Sequence, residues 1–292
     1  MQDIDFLIIG AAKSATTWLQ QCLQTDPEIY MPDPELHFFS REFHRGSDWY
    51  LSHFRRQQGM KLVGEKSNSY LESAMAPARI KAHLPHAKLV SQLRNPVERA
   101  YSDYCMLYRR GEVTGDIRYH LDPRTSADQR FLAGGQYHRQ LRTFYELFPE
   151  SQLLVQFFED VRSDPLVQLN QTRVFLGLAP VAAVPLAEAK IKDKSTPMLG
   201  PTLRWSLRPL KPWVASLRHR PSFQRLHGFF ARETKYPELG VDLRRRLLDH
   251  YVPDIEALGK MIGRDLSFWM TGGRANDFDS ESRWRRSDSR PD

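Results

Sequence analysis

The stretch Asp5-Phe6-Leu7-Ile8-Ile9-Gly10-Ala11-Ala12-Lys13-Ser14-Ala15-Thr16-Thr17-Trp18-Leu19 restricts the fold more than any other part of the chain. Phe6 to Ile9 is a short apolar run ended by Gly10, the pattern of a parallel strand buried on both faces. Thr16 to Leu23 then carries its apolar residues at helical spacing. Strand, tight loop and helix in that order gather free backbone N–H groups at the positive end of a helix dipole. Lys13 adds a full charge there, and Ser14, Thr16 and Thr17 add hydroxyls, so the loop suits a phosphate or a sulfate. It differs from a Walker A loop, G-x-x-x-x-G-K-[ST]: Lys13 follows Gly10 by three residues, and two threonines open the helix. An ordinary nucleoside triphosphatase is therefore disfavoured. The competing reading is a lysine on a loop before a threonine N-cap.

Further along, Ile29-Tyr30-Met31 reads as a short strand, and Pro32-Asp33-Pro34 breaks it into a loop that leads to Glu35-Leu36-His37-Phe38-Phe39. A carboxylate and an imidazole two residues apart beside aromatics are either a catalytic pair or a surface glutamate next to a packed histidine. Met60 to Val63 is a second apolar strand, delivering Gly64-Glu65-Lys66-Ser67-Asn68-Ser69-Tyr70 at its carboxyl end, where ligands of open parallel sheets collect. Lys66 and Ser67 could there lie beside the first loop, or the segment could simply cap a helix. Ala76 to His83 reads as a helix and Lys88 to Leu93 as a third strand. That strand ends in Arg94-Asn95-Pro96, with Asn95 as N-cap and Pro96 in the first turn of a helix whose stripe is Val97, Ala100, Tyr101 and Tyr104. Arg94 is left at the strand tip and Ser102 about two turns in. The arginine suits either bidentate capture of a phosphate or a salt bridge to an acid such as Glu98.

Arg109 to Gln136 is polar and irregular, expected to be a substrate-side loop and not a core element. Tyr137 to Phe148 reads as a helix, Leu153 to Phe157 as a strand, Leu166 to Leu176 as a helix stopped by Gly177, and Leu243 to Ile262 as a last helix before Gly263. Alternating strands and helices predict an α/β fold, a P-loop-like doubly wound sheet of mostly parallel strands flanked by helices.

The chain's 292 residues fit one large domain over residues 1–271, with a polar tail over 272–292 expected to be disordered. Cys22 and Cys105, both in apolar-periodic stretches, suit buried thiols in a reducing compartment. With no signal peptide and no apolar run of membrane-spanning length, a cytoplasmic location is expected. A net charge of +7 implies an anionic partner without choosing among nucleotide, acidic sugar, nucleic acid and membrane surface. Its placement says more. Residues 203–232 hold Arg204, Arg208, Lys211, Arg218, Arg220, Arg225 and Arg232 with no acid, interleaved with Trp205, Trp213, Phe223, Phe229 and Phe230. They read either as a face for an anionic acceptor or membrane surface, or as a surface helix with its aromatics packed inward.

GAAKSATTWL after a strand, PELHFF, GEKSNSYL, LRNPVERAYSDY, FEDVRSDP with FLGL, and GRDLSFW occur together in this order. The set resembles sulfotransferases that use 3′-phosphoadenosine 5′-phosphosulfate (PAPS), in the branch that holds the heparan sulfate enzymes and many bacterial relatives. The resemblance covers roughly residues 5–180 and the closing helix. It implies that Ala11, Ala12, Lys13, Ser14, Ala15, Thr16, Thr17 and Trp18 form the 5′-phosphosulfate loop, with Lys13 on the transferring group. By the same resemblance, Arg94 and Ser102 form the 3′-phosphate site, Glu35 is the base, His37 its neighbour, and Lys66 the lysine after the second strand. In two places the chain departs from the family pattern: Ala15 stands where many members have glycine, tolerated if the helix simply starts there, and the basic loop Lys190 to Thr196 lacks a Lys-Gly-Arg run.

Sulfuryl transfer has a loose in-line transition state, so positioning and charge neutralisation carry most of the catalysis. No carboxylate cluster has metal-ligand spacing, and a metal-independent reaction is expected, with Glu35 taking the proton of an acceptor hydroxyl on a carbohydrate or glycolipid. The expected product is adenosine 3′,5′-bisphosphate. Nucleic acid is not expected as a partner. The alternatives are a Mg²⁺-dependent kinase built on the same loop, and a non-catalytic binder of acidic glycans.

Overall fold

The computed structural model describes residues 4–54, 59–126, 129–185, 198–199, 231–232 and 235–271. The expectations for Lys190 to Thr196, for the side chains of 203–232 and for 272–292 lie outside the described residues.

Five parallel strands form the central sheet in the order β2-β3-β1-β4-β5: β1 (Phe6–Gly10), β2 (Ile29–Tyr30), β3 (Leu62–Lys66), β4 (Lys88–Leu93) and β5 (Leu153–Phe157). The helices are α1 (Thr16–Gln24), α2 (Gly46–Leu51), α3 (Ser69–Glu72), α4 (Ala76–His83), α5 (Pro96–Arg110), α6 (Ile117–Leu121), α7 (Arg130–Ala133), α8 (Tyr137–Leu147), α9 (Phe158–Ser163), α10 (Pro165–Leu176) and α11 (Val241–Ile262). A separate antiparallel pair joins β6 (Met198–Leu199) to β7 (Ala231–Arg232).

β1 lies at the centre because both its faces are apolar. Leu7 and Ile9 enter one core with Tyr50, Leu89, Tyr104 and the α11 residues Leu247 and Tyr251; Phe6 and Ile8 enter the other with Leu19, Val90 and Leu169. Phe6, Leu7, Ile8 and Ile9 are fully buried, and four such side chains contribute roughly 6–12 kcal/mol gross. That anchor holds the irregular loop that follows. Gly10 must be glycine: at φ 146° an added Cβ would lie 2.9 Å from Leu71 Cβ.

The α5 terminus forms as its sequence predicts, Asn95 Oδ1 accepting from the amides of Val97 and Glu98 at 3.0 and 3.3 Å. Two expectations are corrected. Gly64 to Lys66 are the last residues of β3, not part of the loop beyond it; the strand accommodates a glutamate and a lysine because each finds hydrogen-bond partners, Glu65 in Tyr50, Tyr70 and Ser67 and Lys66 in Glu35 and Thr17. Residues 109–136 are not simply a loop, since α6 and α7 bury Leu121, Phe131 and Leu132 in the main core. Their apolar residues are few and split between segments of five and four residues, too short a run to show a helical period.

Candidate functional site

Loops from β1, β2, β3 and β4, four adjacent strands, meet at the carboxyl edge of the sheet, the position where open α/β sheets bind ligands. The first loop runs from Gly10 to α1. Its conformation depends on Lys13 at φ 71° and Ala15 at φ 63°, both left-handed. With Ala15 as N-cap, α1 has no side-chain cap, so its first-turn N–H groups are not served by a capping oxygen. Ala15 thus occupies a backbone conformation in which glycine would be unstrained. The expectation that a helical start removes this constraint is corrected.

Among the described residues, the non-glycine residues of positive φ are Lys13, Ala15 and His37. All three are in this region. Each costs about 1–3 kcal/mol, so the strain of the fold is concentrated on two facing loops and held by the buried β1 anchor.

The second loop carries Glu35 and His37. Glu35 is fixed by β3 and the residues just after it: Lys66 Nζ donates to Oε1 at 2.8 Å, Asn68 Nδ2 to the same oxygen at 3.1 Å, and the Asn68 amide to Oε2 at 2.9 Å. Oε1 therefore has two donors. Oε2 has one and retains a lone pair, 3.8 Å from His37 Nε2. His37 Nδ1 pairs with Ser69 Oγ at 2.7 Å. Burial pulls the imidazole below its ordinary range against the opposing pull of Glu35, which keeps the ring neutral at pH 7.

Lys66 is the junction. Its Nζ, buried, also donates to Thr17 Oγ1 at 3.3 Å, so one ammonium spans the α1 terminus and Glu35. Asn68 makes the same connection in parallel, accepting from Thr16 Oγ1 at 2.8 Å while donating to Glu35. Arg94 reaches the first loop from β4, donating to Lys13 O at 3.1 Å and stacking 4.5 Å over Phe158. Glu98 does not hold it in a salt bridge; Glu98 pairs with Arg244 of α11 instead. Lys13 Nζ lies 3.7 Å from Met106 Sδ on α5. Ser102, half-buried, is four residues before Met106 and so on the same helix face.

The sequence-predicted residues Thr16, Thr17, Glu35, His37 and Lys66 are thus joined by direct contacts or through Asn68, and Arg94 joins Lys13 on the first loop. Ala11, Ser14 and Trp18 are buried, the Trp18 ring within the second core, so its side chain does not face a ligand. Ala12 is half-buried on the loop. Sequence reasoning missed Asn68, Ser69 and Gln92. Gln92 supports the loop from β4, its Nε2 donating to Ser14 O at 2.5 Å and its carbonyl accepting from the Ala11 amide at 2.8 Å. A signal was present: Ser91-Gln92 is a polar pair inside an otherwise apolar strand, and Ser67-Asn68-Ser69 is a dense polar run at a strand end.

The residues fit an anionic group: an uncapped helix terminus flanked by Lys13, Lys66 and Arg94 can carry phosphate or sulfate. A carboxylate with a spare lone pair facing the same space can accept a proton.

Residues 3–191, more than half of the chain, match the family model described as a sulfotransferase domain. The chain is 31% identical over 195 residues to the bifunctional heparan sulfate N-deacetylase/N-sulfotransferase 2 of Homo sapiens, covering 60% of this chain and 22% of that protein. It is 33% identical over 177 residues to the heparan sulfate glucosamine 3-O-sulfotransferase 3B1 of Mus musculus, covering 59% of this chain and 45% of that one. The chain therefore spans less than half the length of these curated relatives. Among solved structures, a sulfotransferase from Alicyclobacillus acidocaldarius superposes with a TM-score of 0.67 at 26% identity, covering 92% of this chain and 99% of the other. By fold, by site and by the extent of the match, the chain belongs to the sulfotransferase domain family.

Proposed function

We propose that the protein transfers a sulfuryl group from PAPS to a hydroxyl of a carbohydrate acceptor, with Glu35 as general base. The observation that carries this reading is the double contact of Lys66, 2.8 Å from Glu35 and 3.3 Å from Thr17, which sets a proton acceptor within one side chain of an anion-binding helix terminus. In this reading the loop from Gly10 to Trp18 holds the 5′-phosphosulfate, Lys13 lies against the transferring group, and Arg94 with Ser102 holds the 3′-phosphate. The bond from sulfur to the bridging oxygen breaks as the bond from sulfur to the acceptor oxygen forms. The bridging oxygen leaves with the electron pair on adenosine 3′,5′-bisphosphate, and the acceptor proton passes to Glu35 Oε2. Lys13 and Lys66 offset the charge that develops on the leaving oxygen, a task that needs no divalent metal.

The relatives named for heparan sulfate support a carbohydrate acceptor. The basic and aromatic segment 203–232 would recruit it, either as a free glycan or as a glycolipid headgroup. Adenosine 3′,5′-bisphosphate should raise the melting temperature by several degrees, whereas ATP with Mg²⁺ should not. Labelled PAPS should pass its sulfuryl group to a glycan acceptor at a rate indifferent to EDTA. Stabilisation by ATP with Mg²⁺ in place of the bisphosphate would overturn the assignment in favour of a kinase.

A further inference from the structure

Directly beneath the loop that carries Glu35 and His37 lies a second glutamate that the mechanism above does not use. Glu65 precedes Lys66 on β3, so its side chain leaves the strand on the opposite face, beside Val63 and across from Leu7. It is 1% exposed. Its Oε1 accepts from Tyr50 OH at 3.0 Å and from Tyr70 OH, and its Oε2 accepts from Ser67 Oγ at 3.1 Å. Ser67 Oγ in turn accepts from the His37 amide at 2.8 Å. His37 is the residue at φ 52° that opens a single π-turn over Phe38–Glu42. Phe38 stacks on Tyr50 at 4.4 Å, and Phe39 meets Tyr70 edge-on at 5.6 Å, so the same two tyrosines that bond Glu65 also support the turn.

We infer that Glu65 is a positioning residue for the proposed transfer, acting through Ser67 and the His37 amide to hold the loop bearing Glu35 and His37 in its strained, productive geometry. The inference rests on the sulfotransferase reading of the site and deepens it.

Hydrogen-bond arithmetic makes the device sensitive to one proton. An ionised Glu65 accepts from three hydroxyls and needs no donor of its own. A protonated Glu65 must find an acceptor among those same three groups, and one of them must turn its hydrogen away. The 3.1 Å bond from Ser67 is the longest of the three and yields first, which loosens the relay to His37. The titratable groups facing Glu65 are Tyr50 from α2, Tyr70 from α3 and, at longer range, Glu35 from the loop; β1 presents Leu7, and the π-turn presents Phe38 and Phe39. None is a cation. Burial accordingly pushes the Glu65 carboxyl up to about 7, so its ionisation falls within the working range. His37, the other group near that range, is pulled lower, and a Glu65 variant separates the two.

The test compares wild type, Glu65→Gln and Ser67→Ala, each first checked for a cooperative melt. Wild-type kcat should rise with pH in a step near 7. Ser67→Ala, which leaves both tyrosine bonds to Glu65 intact, should lose that step and roughly 10- to 100-fold in kcat, the scale of a small misplacement of catalytic groups. Affinity for adenosine 3′,5′-bisphosphate should stay within about 2-fold of wild type by calorimetry, since the side chains of Glu65 and Ser67 bond His37, Tyr50, Tyr70 and each other and not residues 10–18. Glu65→Gln should flatten the step in the same way; if it does not fold, Ser67→Ala decides. A merely structural Glu65 would move the melting temperature and leave the shape of the profile alone. A step that persists in either folded variant, or is absent from wild type, overturns the inference. Should wild type transfer nothing from PAPS, it is the sulfotransferase reading that has failed. The positioning role is then judged by hydrogen exchange at the His37 amide: lower protection in Ser67→Ala supports it, and unchanged protection overturns it.

Discussion

At the residue scale, Lys66 and Asn68 each touch both sides of the site, so neither the α1 terminus nor the Glu35 loop can shift without the other responding. Glu35→Gln keeps the shape of that junction while removing proton-accepting capacity. It should lower kcat by about 10²–10⁴-fold, and calorimetry should find affinity for adenosine 3′,5′-bisphosphate nearly unchanged. Glu65 makes a second, thermodynamic prediction. Its folded carboxyl is raised from 4.5 to about 7, so the native state keeps a proton that the unfolded chain has already released. The stability this contributes is complete below the ordinary carboxylate range and is lost as pH rises to about 7, with no further change above. Urea denaturation at pH 5 and pH 8 should show the difference between wild type and Glu65→Gln falling by about 3 kcal/mol across that window. An identical pH dependence in the two proteins would mean that Glu65 is not the group titrating.

At the element scale, α5 matters most because it carries Ser102 and Met106 beside Lys13 and packs against α6, α7 and α11. Its N-cap, Asn95, satisfies the Val97 and Glu98 amides, donates through Nδ2 to Trp269 O at 3.0 Å, and donates its own amide to Glu159 at 2.9 Å. The first two functions belong to the side chain, so Asn95→Ala should cost about 2 kcal/mol, more than a surface cap loses. Denaturant titration measures it, and a loss under about 0.5 kcal/mol would show that water replaces the cap. The rest of the helix is bound from outside: Tyr101 OH donates to Pro237 O at 3.0 Å, and Tyr236 sits against Tyr108. The segment leading into α11 therefore borders the stretch of α5 that bears Ser102. Nothing in the local sequence of 235–240 announces this, because the contact joins residues more than a hundred positions apart.

On the scale of the whole molecule, the parallel sheet brings four loops to one edge, while the net charge of +7 supplies attraction for anions at longer range. The variant Arg218→Glu/Arg220→Glu/Arg225→Glu should slow transfer to an anionic glycan several-fold at low salt and much less at high salt, without changing donor affinity. Equal rates at low salt would remove segment 203–232 from acceptor recruitment. Much of the architecture was legible in local pattern. The apolar run Phe6 to Ile9, the span Lys88 to Leu93, the Asn95-Pro96 start and the stops at Gly177 and Gly263 all record interactions within a few residues, which periodicity and capping report directly. The left-handed Ala15, the burial of Leu121 and Phe131, and the extension of β3 through Glu65 and Lys66 were not legible. Each depends on partners distant in the chain: a buried β1 that holds a strained loop, a core that collects apolar residues from two short helices, tyrosines from α2 and α3 that make a glutamate tolerable inside a sheet. By itself the sequence determined which residue types would gather at a strand edge. Only tertiary structure decided that Lys66 bridges Thr17 and Glu35, and that Glu65 stands behind His37, because hydrogen bonds between separate strands and loops carry no periodicity along the chain.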